Sequence, residues 1–282
     1  MLSQDLIFSL LLLLTILVAL PITTATNPGI FFIDWDGLQT CSPLSYSTPY
    51  TEQHIIDIIY HTKLRNETLK VIGTGHSFSG VQLTKGHMMS LDHYSEVVAR
   101  TDLTATDGTA TDGTATTGTA TDGTTGHMYS LVEVQAGIRL RDFNNELEKM
   151  GLSMLNLGAT AAQSVAGATA TGTHGTGTKL GSISTQISAM RLIDSFGKVH
   201  VLSEHDENTD MFEAARVGIG ALGAISTMTF KVVPLFKLRR RNIAYELPTL
   251  LKVFGSLHKL HDYIHMFTLL HLLTCLLIND MV

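Results

Sequence analysis

Apolar positions along this chain follow two periods, one helical and one strand-like, and their alternation predicts mixed packing of helices on sheets. Between residues 49 and 66, Ile55, Ile56, Ile59 and Leu64 lie along one helical stripe, with Pro49 and Thr51 suited to its start. LKVIGTG, residues 69 to 75, follows as a buried strand running into glycines, and MMSLDHYSEVVAR, 88 to 100, has strand character. A second helix is predicted over 138 to 151. Leu140, Phe143, Leu147 and Met150 are spaced three, four and three there, and Gly151 ends it. Residues 187 to 203 predict a hairpin turning at Phe196 and Gly197. DMFEAARVGIGALG then gives a helix and a glycine turn, and AISTMTFKVVPLF a last strand.

Two segments break this pattern. Residues 104 to 123 are four copies of a five-residue unit, TATDG with one TATTG. The unit has no apolar period, and its aspartates lack the alternate spacing and closing glutamate of a calcium loop. It is expected as a disordered hairpin insert between two paired strands, VVAR and SLVEVQAG, with threonines that could carry O-glycans. The other segment is the apolar run LIFSLLLLLTILVAL, residues 6 to 20, followed by small residues. It is short for a membrane span of ~20 residues. Residues 1 to 25 are therefore expected as a signal peptide or an uncleaved signal anchor. That implies the secretory route, with the protein in the endoplasmic reticulum membrane or secreted. Asn66, Glu67 and Thr68 would then form a glycosylation acceptor.

Composition narrows the function. The 282 residues allow one large domain or two ordinary ones, and 44% hydrophobic content supports a core. A net charge of -6 gives no electrostatic case for nucleic acid. Cys41 and Cys275 lie far apart, so no disulfide framework or zinc site is expected, and each reads as a lone thiol.

The candidate chemistry sits in VIGTGHSFSG, residues 71 to 80. Phe78 stands where a dinucleotide fingerprint needs glycine, and Val81 and Gln82 stand where a Walker loop needs lysine and serine or threonine. What remains is a glycine-rich turn at a strand end, its amides free to meet an anion, with His76 at its tip. Residues 156 to 182 are rich in Gly, Ala, Thr and Ser, which lets backbone approach something large and flat; His174 lies among them.

GTGHS, NLGATAAQSVAGATATGTHGTG and MFEAARVGIGALGAISTMTFKVVPLF occur here in order. Together they resemble the FAD-binding (PCMH-type) domain of the vanillyl-alcohol-oxidase family, most closely its sugar-1,4-lactone oxidases. The resemblance spans residues 35 to 238 apart from the insert. It implies an α+β fold in which two subdomains grip FAD, with the FAD-binding domain at 35 to 237. Gly73, Thr74, Gly75, His76, Ser77, Phe78 and Ser79 match the loop that binds the FAD pyrophosphate. His76 falls where many members bond the flavin 8α-methyl group. Ser164, Gly167, Thr171, Gly172, Thr173 and His174, together with Ala159 and Ile225, match the wall against the flavin. The implied activity is FAD-dependent oxidation of an L-gulono- or D-arabinono-type lactone with O2 as acceptor, giving H2O2, as in ascorbate biosynthesis.

The match ends near residues 246 to 251. Residues 238 to 282 are thus expected as a truncated or degenerate cap domain, ending in an apolar run foreign to the family. No catalytic acid or base is named, and no metal is expected, although His258, His261 and His265 would share a helical face. The run Lys237 to Arg241 reads as a solvated connector. Expected partners are a small lactone and O2, with no nucleic acid, and with membrane association through residues 6 to 20. Two other readings stay open at this point, a non-catalytic flavin-binding remnant and a glycosylated secreted binding module.

Overall fold

The computed structural model describes residues 29–102, 120–121, 128–207, 209–269 and 273–281. The leader read at residues 1 to 25 lies outside them, as does the repeat insert apart from Ala120 and Thr121.

The first lobe begins with a short hairpin of β1 (Phe32–Ile33) and β2 (Thr40–Cys41). Cys41 is a free, half-buried thiol. β3 (Ser45–Ser47), α1 (Glu52–Leu64), β4 (Leu69–Ile72) and β5 (His87–Ser90) follow, the strands forming a parallel sheet in the order β3-β5-β4. α1 starts where Thr51 accepts a hydrogen bond from the His54 amide. Its buried stripe runs through Ile55, Ile58, Ile59 and Thr62, whereas Leu64 is exposed. The stripe therefore passes one position away from the expected one. Thr62 tolerates burial because its hydroxyl donates to the Ile58 carbonyl at 2.7 Å. Beneath the sheet, His87 is held between Ser45 Oγ at 2.6 Å and Ser47 Oγ at 2.7 Å.

The second lobe is one large antiparallel sheet. It comprises β6 (Val97–Asp102), β7 (Ala120–Thr121), β8 (Met128–Gln135), β9 (Leu152–Ser153), β10 (Ile187–Ile193), β11 (Val199–Ser203) and β12 (Ala224–Pro234). Its main order is β11-β10-β12-β8-β6, with β7 on β8 and β9 on β12. The expected pairing of VVAR with the strand after the insert is present, with Arg100 opposite Val132 and Thr101 opposite Leu131. The last repeat also contributes two paired residues, Ala120 and Thr121, against Tyr129 and Met128.

Three helices, α2 (Leu140–Lys149), α3 (Val165–Ala170) and α4 (Asp210–Arg216), accompany this sheet. α2 buries Leu140, Phe143 and Leu147 completely, and the Phe143 ring meets Phe230 of β12 at 5.3 Å between centroids. Each such side chain contributes ~1.5–3 kcal/mol by leaving water. Gly151 adopts φ 72°, which closes α2, and Gly197 adopts φ 77° in the hairpin turn, both as expected.

Two kinds of contact join the lobes. Ile55, Met89 and Leu91 of the first lobe pack with Ala136, Ile193 and Ala224 of the second. Beside them, Glu52 accepts hydrogen bonds from Arg191 Nε at 2.8 Å and Nη2 at 2.7 Å, and from Ser226 Oγ at 2.6 Å. The guanidinium holds the Glu52 carboxyl below its ordinary range.

The C-terminal residues form a third unit. β13 (Leu238–Tyr245), α5 (Leu247–Leu260), β14 (Tyr263–Leu269) and β15 (Leu273–Met281) give a sheet ordered β13-β15-β14, with Leu250, Ile264 and Ile278 as its core. The apolar tail supplies two strands of this sheet, β14 and β15. Two expectations are corrected here. The Lys237 to Arg241 run is not a connector: it leads into β13, where Arg241 pairs with Asp280 at 2.8 Å. The three histidines do not share a helical face, because α5 stops at Leu260, where Tyr263 and Ile264 enter a strand. His258 lies on α5, His261 caps it in extended geometry, and His265 lies on β14. Among the described residues no group of three metal-ligating side chains comes together, and no helix is long and apolar enough to cross a membrane. Tyr263 fastens the unit to the second lobe by donating to the Leu155 carbonyl at 2.7 Å, and burial pushes its hydroxyl up to about 12.

His87 makes stability depend on pH. Burial lowers its pKa below 6.5, so the unfolded chain takes up the proton first. Its contribution is complete above 6.5, declines as pH falls through that value, and levels off below the folded pKa. Denaturation midpoints followed across this range should fall more steeply for the unmutated protein than for His87→Gln. Equal slopes would contradict the assignment.

Candidate functional site

A cleft opens where the two lobes meet. One wall is the end of β4 and residues 73 to 77. The other comes from Gln163, Ser164, Ala166, Gly167, Ala170 and Thr171, with Gly220, Gly223 and Ile225 closing one side. Its cavity volume is about 140 Å³. That is below the ~300–1,000 Å³ of an ordinary ligand pocket, so a dinucleotide would extend along the open groove.

The glycine loop is built for close approach. No backbone amide from residue 73 to 79 donates to a described protein group. Its carbonyls are used instead, Gly75 accepting from the Trp35 amide at 2.9 Å and Ser77 from Gln82 Nε2 at 3.2 Å. Gly75 has φ 73°, a conformation that other residues rarely adopt. At Gly73 a Cβ would fall 2.3 Å from Ser164 Oγ, so the two walls touch only because that side chain is absent. Ser164 itself caps α3, accepting from the Gly167 amide at 3.3 Å. Thr74 Oγ1 lies 2.9 Å from His76 Nδ1 and fixes the ring edge.

The structure brings together Gly73, Thr74, Gly75, His76, Ser77, Ser164, Gly167, Thr171 and Ile225 along this cleft. Phe78 and Ser79 lie just beyond it and are exposed. Ala159, Gly172 and Thr173 do not line it. His174 lines a separate, more open cleft shared with Thr178, Ser182, His258 and Ile264, where the second lobe meets the third unit.

Several lining residues escaped the sequence reading. Gln163 lines the wall with a buried Oε1 that has no partner among the described residues, while its Nε2 reaches Thr173 Oγ1 at 3.4 Å. Lys70 lines the opposite wall and forms no ion pair among the described residues. Gly220 and Gly223 read as a simple turn in the sequence, yet a Cβ at Gly223 would lie 2.2 Å from the Ile193 carbonyl. FAD fits this donor set. Free amides and an ammonium suit its pyrophosphate, an unpartnered amide oxygen suits an N–H or hydroxyl donor, and the small residues admit a flat ring.

Comparisons with known proteins agree with this geometry. A family model described as an FAD binding domain matches residues 43–203. The chain is 34% identical to the L-gulono-1,4-lactone dehydrogenase of Mycobacterium tuberculosis over 209 residues, covering 74% of this chain and 42% of that protein. It is 32% identical to the L-gulonolactone oxidase of Mus musculus over 235 residues, covering 83% and 48%. The chain thus spans about half the length of the curated relatives it matches. Among solved structures, cholesterol oxidase from B. sterolicum gives a TM-score of 0.69 at 14% identity, covering 89% of this chain and 47% of that one. At that identity the likeness is one of fold.

Gly73→Ala should weaken FAD binding about tenfold, or ~1.4 kcal/mol, because the new methyl collides with Ser164. Titration of the protein with FAD, followed by flavin fluorescence, measures this. An unchanged affinity would mean that the cofactor lies elsewhere.

Proposed function

This chain belongs to the FAD-binding domain family, and from that premise we propose that it is the flavin-holding part of an enzyme oxidising a sugar-1,4-lactone of the L-gulono or D-arabinono type. The observation behind the reading is the inter-lobe cleft of small residues and of amides that donate to no described protein group, in a chain whose relatives are named for such lactones.

In this proposal the amides of residues 73 to 79 and the Lys70 ammonium hold the pyrophosphate of FAD. The hydroxyls of Ser164 and Thr171 and the Gln163 carboxamide bond the flavin and its ribityl chain, and Ile225 supplies an apolar surface. His76 bonds covalently to the 8α carbon. Bound flavin supplies the hydride acceptor, while the protein supplies orientation and electrostatics. Final transfer to O2, giving H2O2, belongs to the same reading. The oxidase names favour it, and the mycobacterial dehydrogenase marks the alternative acceptor class. Entry into the secretory route through residues 6 to 20 and glycosylation at Asn66, exposed in the turn after α1, complete the proposal.

Anaerobic addition of L-gulono- or D-arabinono-1,4-lactone should bleach the flavin absorbance, and admission of air should restore it with release of peroxide. A flavin that stays oxidised with both lactones would reject the oxidase reading in favour of flavin binding without turnover. Acid precipitation tests the tether. Flavin should remain with the unmutated polypeptide and with His174→Ala, and should be released from His76→Ala. Release from the unmutated protein would contradict covalent attachment.

A further inference from the structure

We infer that Trp35 is a positioning residue for His76, its indole holding the imidazole plane in register with the cofactor carbon to which His76 bonds. The inference rests on the proposed attachment at His76 and goes beyond it by naming what orients that ring.

The geometry is specific. The Trp35 and His76 rings stack with centroids 5.4 Å apart and an interplanar angle of 20°. Phe78 meets the same indole edge-on at 6.3 Å and 81°. Trp35 is 66% exposed and Phe78 74% exposed, so neither ring belongs to the core. Two large aromatics left in solvent, one stacked on a histidine and the other meeting that indole edge-on, are not explained by folding, since core burial would stabilise the fold more.

The backbone that carries the indole is anchored independently of that side chain. The tight turn after β1 is closed by the Gly37 amide on the Asp34 carbonyl at 3.2 Å, and by the Asp34 amide on Gln39 at 3.0 Å. From that turn the Trp35 amide donates to Gly75, the residue directly before His76, at 2.9 Å. Backbone of the hairpin and backbone of the glycine loop are thus bolted together one residue from the imidazole. A ring pressed on one face by Trp35 and held at one edge by Thr74 Oγ1 loses most of its freedom about χ1 and χ2.

That loss of freedom matters for the bond His76 makes. In that step the 8α-methyl carbon gives up one hydrogen and the imidazole N–H another, and a carbon–nitrogen bond forms. The two electrons released pass with the two protons to dioxygen, which becomes hydrogen peroxide. Such a step needs the nitrogen lone pair directed at one carbon, and orientation of that kind governs rate far more than affinity.

The test separates attachment from binding. The full-length protein is incubated in air with excess FAD, and flavin retained after acid precipitation is followed in time beside total bound flavin. Trp35→Ala should bind FAD and melt like the unmutated protein, yet attach flavin slower by on the order of tenfold or more. Trp35→Phe, which restores a ring face, should recover most of the rate. Trp35→Leu, which restores apolar bulk without a ring face, should stay slow and serves if the alanine variant folds poorly. Attachment by Trp35→Leu or Trp35→Ala at the unmutated rate would overturn the inference while leaving His76 as the tether. Loss of FAD binding in all three variants would also overturn it, making Trp35 part of the binding wall. Absence of covalent flavin in the unmutated protein would instead reject the attachment itself, and the inference with it.

Discussion

Backbone presses directly on backbone where the two lobes meet, and the cleft exists because of it. At Gly137 a Cβ would lie 1.9 Å from the Leu91 carbonyl, and the Gly137 amide donates to the Tyr94 carbonyl at 3.0 Å. No side chain fits between the first lobe and β8's end at that point. The aliphatic cluster around Ile55 and Ile193 and the Glu52–Arg191 pair lie on the same seam and fix the lobes' relative angle. The groove walls, one from each lobe, inherit their spacing from this contact. Gly137 itself lines the cleft, so a larger residue there would disturb both the seam and the site.

This constraint also explains the division of labour between the lobes. The parallel sheet of the first lobe ends in a loop with spare amides, which is where anionic groups are met in mixed α/β folds. The second lobe faces that loop across the cleft. It supplies surface instead, through Gly167, Thr171 and Ile225. An anion at one wall and a flat ring at the other is the arrangement that a flavin dinucleotide requires.

Much of this was legible in the sequence, for local reasons. α2 was readable because Leu140, Phe143 and Leu147 repeat at helical spacing and Gly151 stops them. The glycine loop was readable because VIGTGHS places bare backbone directly after an apolar strand. What escaped depends on contacts distant in sequence. Ile58, not Leu64, faces the core of α1, because the second lobe decides which side of the helix is covered. The tail histidines have helical spacing, yet pairing of residues 263 to 269 with 273 to 281 overrides it. Gln163 and Trp35 carry no local signal at all. The first shows its importance only as an unpartnered oxygen in a wall, the second only as a ring lying on His76.

Hydrogen exchange, measured with and without FAD, tests the central claim that this inter-lobe cleft holds the cofactor. The amides of residues 73 to 79, which donate to no described protein group, should exchange markedly more slowly once FAD is added. Residues 163 to 171 should follow, while α5 stays unchanged. Protection confined to the cleft around His174 and His258, with residues 73 to 79 exchanging as before, would contradict the account.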